Sequence, residues 1–198
     1  MALGFVRRNL QNCPKETRLT AYISLVHSLL EYGASIWDPF DHKKDIDKLE
    51  IIQRQAARFV TRDYRSREPG CVTKMLKDLD LATLQSRRRN LRLSFLFKIV
   101  VGLTPAIPPD KYLELEPIQN KRKITVKTFS DCVSKNIVDQ FVTNNTRAFK
   151  IPPNKRSDQY KQSFFVRTIS EWNGLANQTV TAGSLDIFKT RLSSDSSQ

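Results

Sequence analysis

With 198 residues, 39% of them hydrophobic, the chain is long enough to bury one ordinary core or two small ones without covalent staples. Its 33 Lys and Arg against 20 Asp and Glu leave a formal charge of +13 and a pI near 9.9. That balance points to a polyanionic partner, nucleic acid first and an anionic membrane second, although charge alone selects neither. Three cysteines, Cys13, Cys71 and Cys132, lie far apart with no CxxC pair, and only His27 and His42 could join them, which argues against a structural zinc site or a disulfide framework and for a reducing compartment.

The N-terminal MALGFVRRNL lacks the long apolar segment and cleavage site of a secretory signal, and no apolar run approaches membrane-spanning length. The expectation is a soluble intracellular protein, nuclear or cytoplasmic, with no membrane partner. A first helix is signalled by Asn12, Cys13 and Pro14, proline being suited to a first helical turn. Leu19, Tyr22, Ile23, Val26, Leu30, Gly33, Ala34 and Trp37 continue it at helical spacing, and Asp38-Pro39 ends it. His27 lies among those apolar positions and reads as a packed histidine rather than a base. Residues 39–43 form a short polar link, with Asp41 as candidate N-cap of a second helix folding back as a hairpin and Trp37 at the corner.

The second helix carries KLEIIQRQAARFVTRDY, Lys48 to Tyr64. Leu49, Ile52, Ala56, Phe59 and Val60 share one side, while Arg54, Arg58 and Arg62 recur every fourth residue on the other, offering guanidinium groups about 6 Å apart. Such a row can grip a phosphate backbone; it also describes an ordinary solvated face. RSREPG then makes a loop, and a short helix spans Val72 to Leu79. Thr83 caps the strongest helix, LQSRRRNLRLSFLFKIV. Its first half holds Arg87, Arg88, Arg89 and Arg92 without an acid, against the helix dipole, which favours an external anion. Its second half, with Leu91, Leu93, Phe95, Leu96, Phe97, Ile99 and Val100, is apolar nearly all round and belongs in the core.

Gly102 and the proline-rich 104–117 break the pattern and mark a boundary. Beyond it, Lys121, Arg122 and Lys123 lead into a short strand at Ile124 to Phe129. Residues 130–157 read as loop; Phe164, Phe165, Ile169 and Trp172 return to near-helical spacing; and Ser184 opens a last helix with Leu185, Phe188 and Leu192 on one side. The division is therefore a helical bundle over 1–103, a linker over 104–117, a smaller and less regular α+β part over 118–192, and a disordered tail over 193–198. The fold class is mainly α.

No Gly-rich phosphate loop, GxSxG, HExxH or Cys/His pair is present, so neither a catalytic site nor a cofactor or metal site is predicted. Asp78 and Asp80 could be imagined as paired metal ligands but suit capping and solubility better.

The ordered set LGFVRRNL, LVHSLLEYGASIWDPF, DIDKLEIIQRQAARFV, LQSRRRNLRLSFLFKIVVGL, SFFVRTISEWNGL and SLDIFKTRL resembles the C-terminal region of reverse transcriptases of non-LTR, LINE-type retrotransposons, jockey-like elements in particular. The likeness covers nearly the whole chain. It implies a thumb and post-thumb region that grips template and primer, with Gln53, Arg54, Gln55, Ala56, Ala57, Arg58 and Phe59 matching the family's basic helix. The family's palm aspartates and endonuclease domain are missing from these residues, as in a truncated element copy or a frame opened midway, so polymerisation does not carry over. On that footing Arg54, Arg58, Arg62, Arg87, Arg88, Arg89 and Arg92 are candidate phosphate contacts, extended by Lys121, Arg122 and Lys123, on RNA, DNA or an RNA–DNA hybrid. With about five phosphates neutralised, log K falls against log salt with a slope of roughly 3.5 to 4.5. The alternatives are an interaction or self-association module exposing faces that would otherwise pack on a polymerase palm, and a remnant without a selected role.

Overall fold

A computed structural model describes residues 2–39, 42–115, 145–150 and 163–195. The fold is mainly helical, as composition and periodicity predict. The chain divides into two compact units, Met1–Leu91 and Arg92–Gln198.

In the first unit, α1 (Ala2–Asn9) turns its Leu3 and Val6 inward. It is followed by α2 (Lys15–Ala21), a wider-wound π segment (Tyr22–His27) and α3 (Ser28–Glu31), through which the backbone stays right-handed and helical. The sequence pattern runs on to Trp37, but the helix does not: Gly33 adopts a left-handed φ of +65°, and a separate single turn, α4 (Ala34–Trp37), follows. The Trp37 indole N–H donates to the Tyr32 carbonyl across this break.

Helix α5 (Lys43–Thr61) folds back on α2 as expected. His42 occupies its N-cap position, and Asp41 lies outside the described residues. Ala56, Ala57, Phe59 and Val60 are buried against Leu3, Val6, Tyr22 and Val26, the two alanines letting the backbones approach. Helix α6 (Cys71–Asp78) closes this core with Met75, joined by Leu79 and Leu81. Cys13 and Cys71 are free thiols.

Helix α7 (Leu84–Val100) begins as predicted, with the Ser86 amide donating to the Thr83 hydroxyl at 3.2 Å. The boundary between the units falls inside it, between Leu91 and Arg92, and not at the prolines. Leu93, Leu96, Phe97 and Ile99 enter the second core; Leu91, expected inside, is 41% exposed. Residues 104–115 are not a free linker: α8 (Pro109–Tyr112) lies here, Leu113 is buried in the second core and Ile107 packs on it.

In the second unit, α9 (Phe164–Asn173), α10 (Asn177–Val180) and α11 (Leu185–Asp195) contribute Ile169, Trp172, Val180, Phe188 and Leu192. The core is aromatic: Phe97 and Phe188 stack at 4.5 Å between centroids, and Trp172 lies 5.8 Å from Phe188. Asparagine side chains tie the described backbone here. Asn173 both accepts from the Phe149 amide at 3.0 Å and donates to its carbonyl at 2.8 Å, while the Trp172 indole donates to the Arg147 carbonyl at 2.9 Å. Among the described residues there is no strand, only an isolated antiparallel bridge between Leu115 and Phe149; the expected strand at 124–129 lies outside them. Helix α11 runs on to Asp195, past the start of the expected tail, with the Ser193 hydroxyl donating to the Lys189 carbonyl.

Candidate nucleic-acid interface

Of the seven arginines predicted to line a phosphate track, Arg88 and Arg92 are buried, Arg58, Arg87 and Arg89 are half-buried, and Arg54 and Arg62 are exposed. Arg58, half-buried, donates to the carbonyls of Asp63 at 3.1 Å and Ser66 at 3.0 Å and so ties the loop after α5. That loop is further held by Asp63, which accepts from the Ser66 hydroxyl and from the Arg65 and Ser66 amides; these bonds, the Ser66 hydroxyl first, pull its carboxyl below the usual range. Arg62 ends α5 in a left-handed conformation with φ of 60° and reaches back to the carbonyls of Gln11 and Cys13. A positive φ in a non-glycine residue costs on the order of 1 kcal/mol, offset here by the clamp on the α1–α2 turn.

On α7 the anion that compensates the positive first half is internal. Arg87 pairs with both carboxylate oxygens of Glu31, which is also 3.4 Å from His27. Arg88 is fully buried and its Nε donates to Asp38 at 2.7 Å. Arg92 is buried and paired with Glu171 at 2.7 Å. A guanidinium without accessible surface cannot meet a phosphate, so the expected phosphate contacts at Arg88 and Arg92 are corrected to structural roles. Of the predicted residues, Arg54 is exposed and makes no hydrogen bond or ion pair with the described residues, and Arg89 is half-buried. Lys121, Arg122 and Lys123 lie outside the described residues.

A different cationic site is formed in the first unit. Gly4, Arg7, Arg8 and Gln11 of α1 and the turn after it, with Phe59 of α5 and Tyr64 just beyond, line an open cleft of about 570 Å³, with no carboxylate in its wall among the described residues. The Arg7 guanidinium sits 5.9 Å from the Tyr64 ring centroid. Behind the cleft, Arg18 lies 5.7 Å from the Phe59 ring, donates to the Val60 carbonyl at 2.7 Å and is 4% exposed. Among the described residues its Nε and Nη1 find no hydrogen-bond partner. Burial, then the nearby positive charge of Arg62, pull its guanidinium below the ordinary arginine value. Arg7 and Arg8 in the wall, with Arg18 against the Phe59 ring and Arg62 near Arg18, make a local positive field that Glu16, close to Arg18, partly offsets.

Residue spacing missed this site. Arg7 and Arg8 belong to α1, a helix of eight residues, and meet Tyr64 only after α5 folds back on α2.

In the second unit a hollow of about 460 Å³ is bordered by Val100, Leu113, Leu115 and Phe149, and its Arg147 already donates to the Val180 carbonyl at 3.3 Å. Among the described residues, no three His, Cys, Asp or Glu gather as metal ligands, and no helix is long and apolar enough to cross a membrane. No family model, curated protein or solved structure matches this chain.

Proposed function

We propose that this chain is a thumb-like part of a non-LTR reverse transcriptase that binds the phosphate backbone of RNA, DNA or their hybrid and does not itself carry the polymerising chemistry. The observation that carries the reading is the cleft: Arg7 and Arg8 in its wall, Arg18 against its Phe59, Tyr64 at its edge and no carboxylate lining it among the described residues. The ordered motifs and the helical bundle support the same assignment. Guanidinium forks give two charge-assisted bonds to one phosphate, and the half-exposed Tyr64 ring offers a stacking surface indifferent to base identity. Arg54, exposed on α5, adds a further contact. Binding by charge and stacking gives little sequence preference.

The test is a titration of labelled single strands and RNA–DNA hybrids at several salt concentrations. The paired substitution Arg7→Gln and Arg8→Gln, both at exposed positions, should weaken binding about tenfold and lower the salt slope by roughly 1.5. No affinity at low salt, or affinity untouched by the pair, overturns the proposal.

A further inference from the structure

The cleft between α1 and Tyr64 combines two kinds of surface, one charged and one aromatic. Gly4, Arg7 and Arg8 share one side of α1. Gly4 carries no side chain there, and Arg8 uses the space: its Nη1 lies 3.5 Å from where a Cβ on Gly4 would stand. A helical side chain takes this direction, back over the residue four before it. Arg8 thus keeps its guanidinium along the cleft while remaining exposed. The aromatic part is Tyr64, 47% exposed, with the buried Phe59. Arg7 meets both parts, its guanidinium 5.9 Å from the Tyr64 ring centroid.

Charge alone would favour a double helix, which carries one phosphate per about 1.7 Å of its axis and is more densely charged than either of its strands. The shape and lining of the cleft favour the opposite. An opening of about 570 Å³ has the size of a small-molecule pocket. A duplex, whose major groove alone is about 12 Å wide, reaches such an opening with its backbone only. Its bases are stacked and turned to the axis, out of reach of Tyr64. A single strand brings an unstacked base together with its phosphate, and so covers the aromatic part and the charged part at once. The carboxylate of Asp63, next to Tyr64 in the chain, is held to its own loop by the Ser66 hydroxyl and the Arg65 and Ser66 amides.

We propose that the cleft receives one unstacked nucleotide of single-stranded RNA or DNA, its phosphate held by Arg7 and Arg8 and its base laid against Tyr64. The proposal rests on the cleft being a phosphate-binding surface and narrows its ligand to one strand form. In it, Arg7 and Arg8 supply affinity for any nucleic acid, and Tyr64 supplies the preference for a strand whose bases are free to stack. Ring stacking and phosphate contacts are common to RNA and DNA, so strands of both bind.

The probes that test it are a labelled strand of about ten nucleotides as RNA and as DNA, the blunt duplex of the same sequence, and a DNA strand of that length without bases. The full chain should bind either single strand about tenfold more tightly than the duplex or the abasic strand. Tyr64→Leu should weaken single-strand binding about tenfold and leave duplex binding and the helical circular dichroism unchanged, since the ring is solvent-facing. Tyr64→Phe keeps the ring and should bind as the unaltered chain does. Gly4→Leu removes neither ring nor charge: it fills the space over which Arg8 lies, at a position where leucine suits the helix better than glycine. It too should weaken single-strand binding about tenfold. A duplex bound as tightly as the strand, or a preference for the strand that survives Tyr64→Leu or Gly4→Leu, overturns the proposal; affinity lost with Arg7→Gln and Arg8→Gln would then leave the phosphate-binding surface standing. Absence of binding to every probe at low salt overturns both.

Discussion

The two units of this protein solve the same problem with opposite materials. The first packs Ala56 and Ala57 at its centre, admits the buried guanidiniums of Arg18 and Arg88, and leaves Tyr32 and Ile36 outside. The second fills its centre with Phe97, Phe149, Trp172 and Phe188 and holds its irregular backbone with asparagine side chains. The first unit thus sets Ala56 and Ala57 beside larger buried residues such as Tyr22 and Phe59 while Tyr32 and Ile36 stay outside. The first therefore carries both a cationic cleft and exposed large side chains such as Tyr32 and Ile36, whereas the second gathers its aromatic rings in one core.

The sharpest way to break this contrast is Trp172→Ala. Removing the fully buried ring and its hydrogen bond to the Arg147 carbonyl should cost about 3–5 kcal/mol. Hydrogen exchange should show protection lost across α9 and α11 and kept across α2 and α5; equal loss in both would show that the units do not differ in this way.

A smaller effect is expected at Arg88. Arg88→Ala leaves the Asp38 carboxylate without its buried cation and should destabilise the first unit by about 3 kcal/mol. The double change Arg88→Met and Asp38→Asn removes both charges and should recover most of that loss in denaturant titrations. Failure to recover would mean that the ion pair does more than neutralise itself.

The smallest effect concerns acid. His27 is buried; desolvation first, and then the charge of Arg87, depress its pKa against the opposing pull of Glu31. Its folded pKa lies below the unfolded value, so below about pH 6.5 the unfolded chain binds the extra proton and stability falls as the pH drops. Above that value the histidine contributes no slope. His27→Gln should flatten the decline between about pH 6.5 and 5, before carboxylates titrate; an unchanged slope would place its origin elsewhere.

Much of the helical framework was legible because the buried faces of α5, α6, α9 and α11 repeat at helical spacing, and Thr83 announced α7. Punctuation misled in two places. Gly33 interrupts the helix although the apolar spacing continues across it, and the prolines of 104–117 suggested a linker where Ile107 and Leu113 pack into the second core. The arginines were the harder problem. Periodicity identifies the polar face of a helix but not the carboxylates that a distant segment will bring to it: Glu31 and Asp38 lie 56 and 50 residues from Arg87 and Arg88. The cleft was invisible for the same reason, since Arg7 and Tyr64 become neighbours only through the tertiary fold.

The π segment at Tyr22–His27 imposes a constraint of length. Its wider winding absorbs about one residue more than an α-turn would, so everything after it is rotated by roughly 100° from the register that α2 alone would set. Glu31 faces Arg87 in that shifted register, and Asp38, farther along, meets Arg88. Rewinding 22–27 as a regular α-helix with all six residues kept would swing both carboxylates away from their cations, whereas removing one residue at the same time would leave them in place. Evolution can drop the extra residue from this stretch, but it cannot straighten the winding and keep the residue without recutting the far half of the unit.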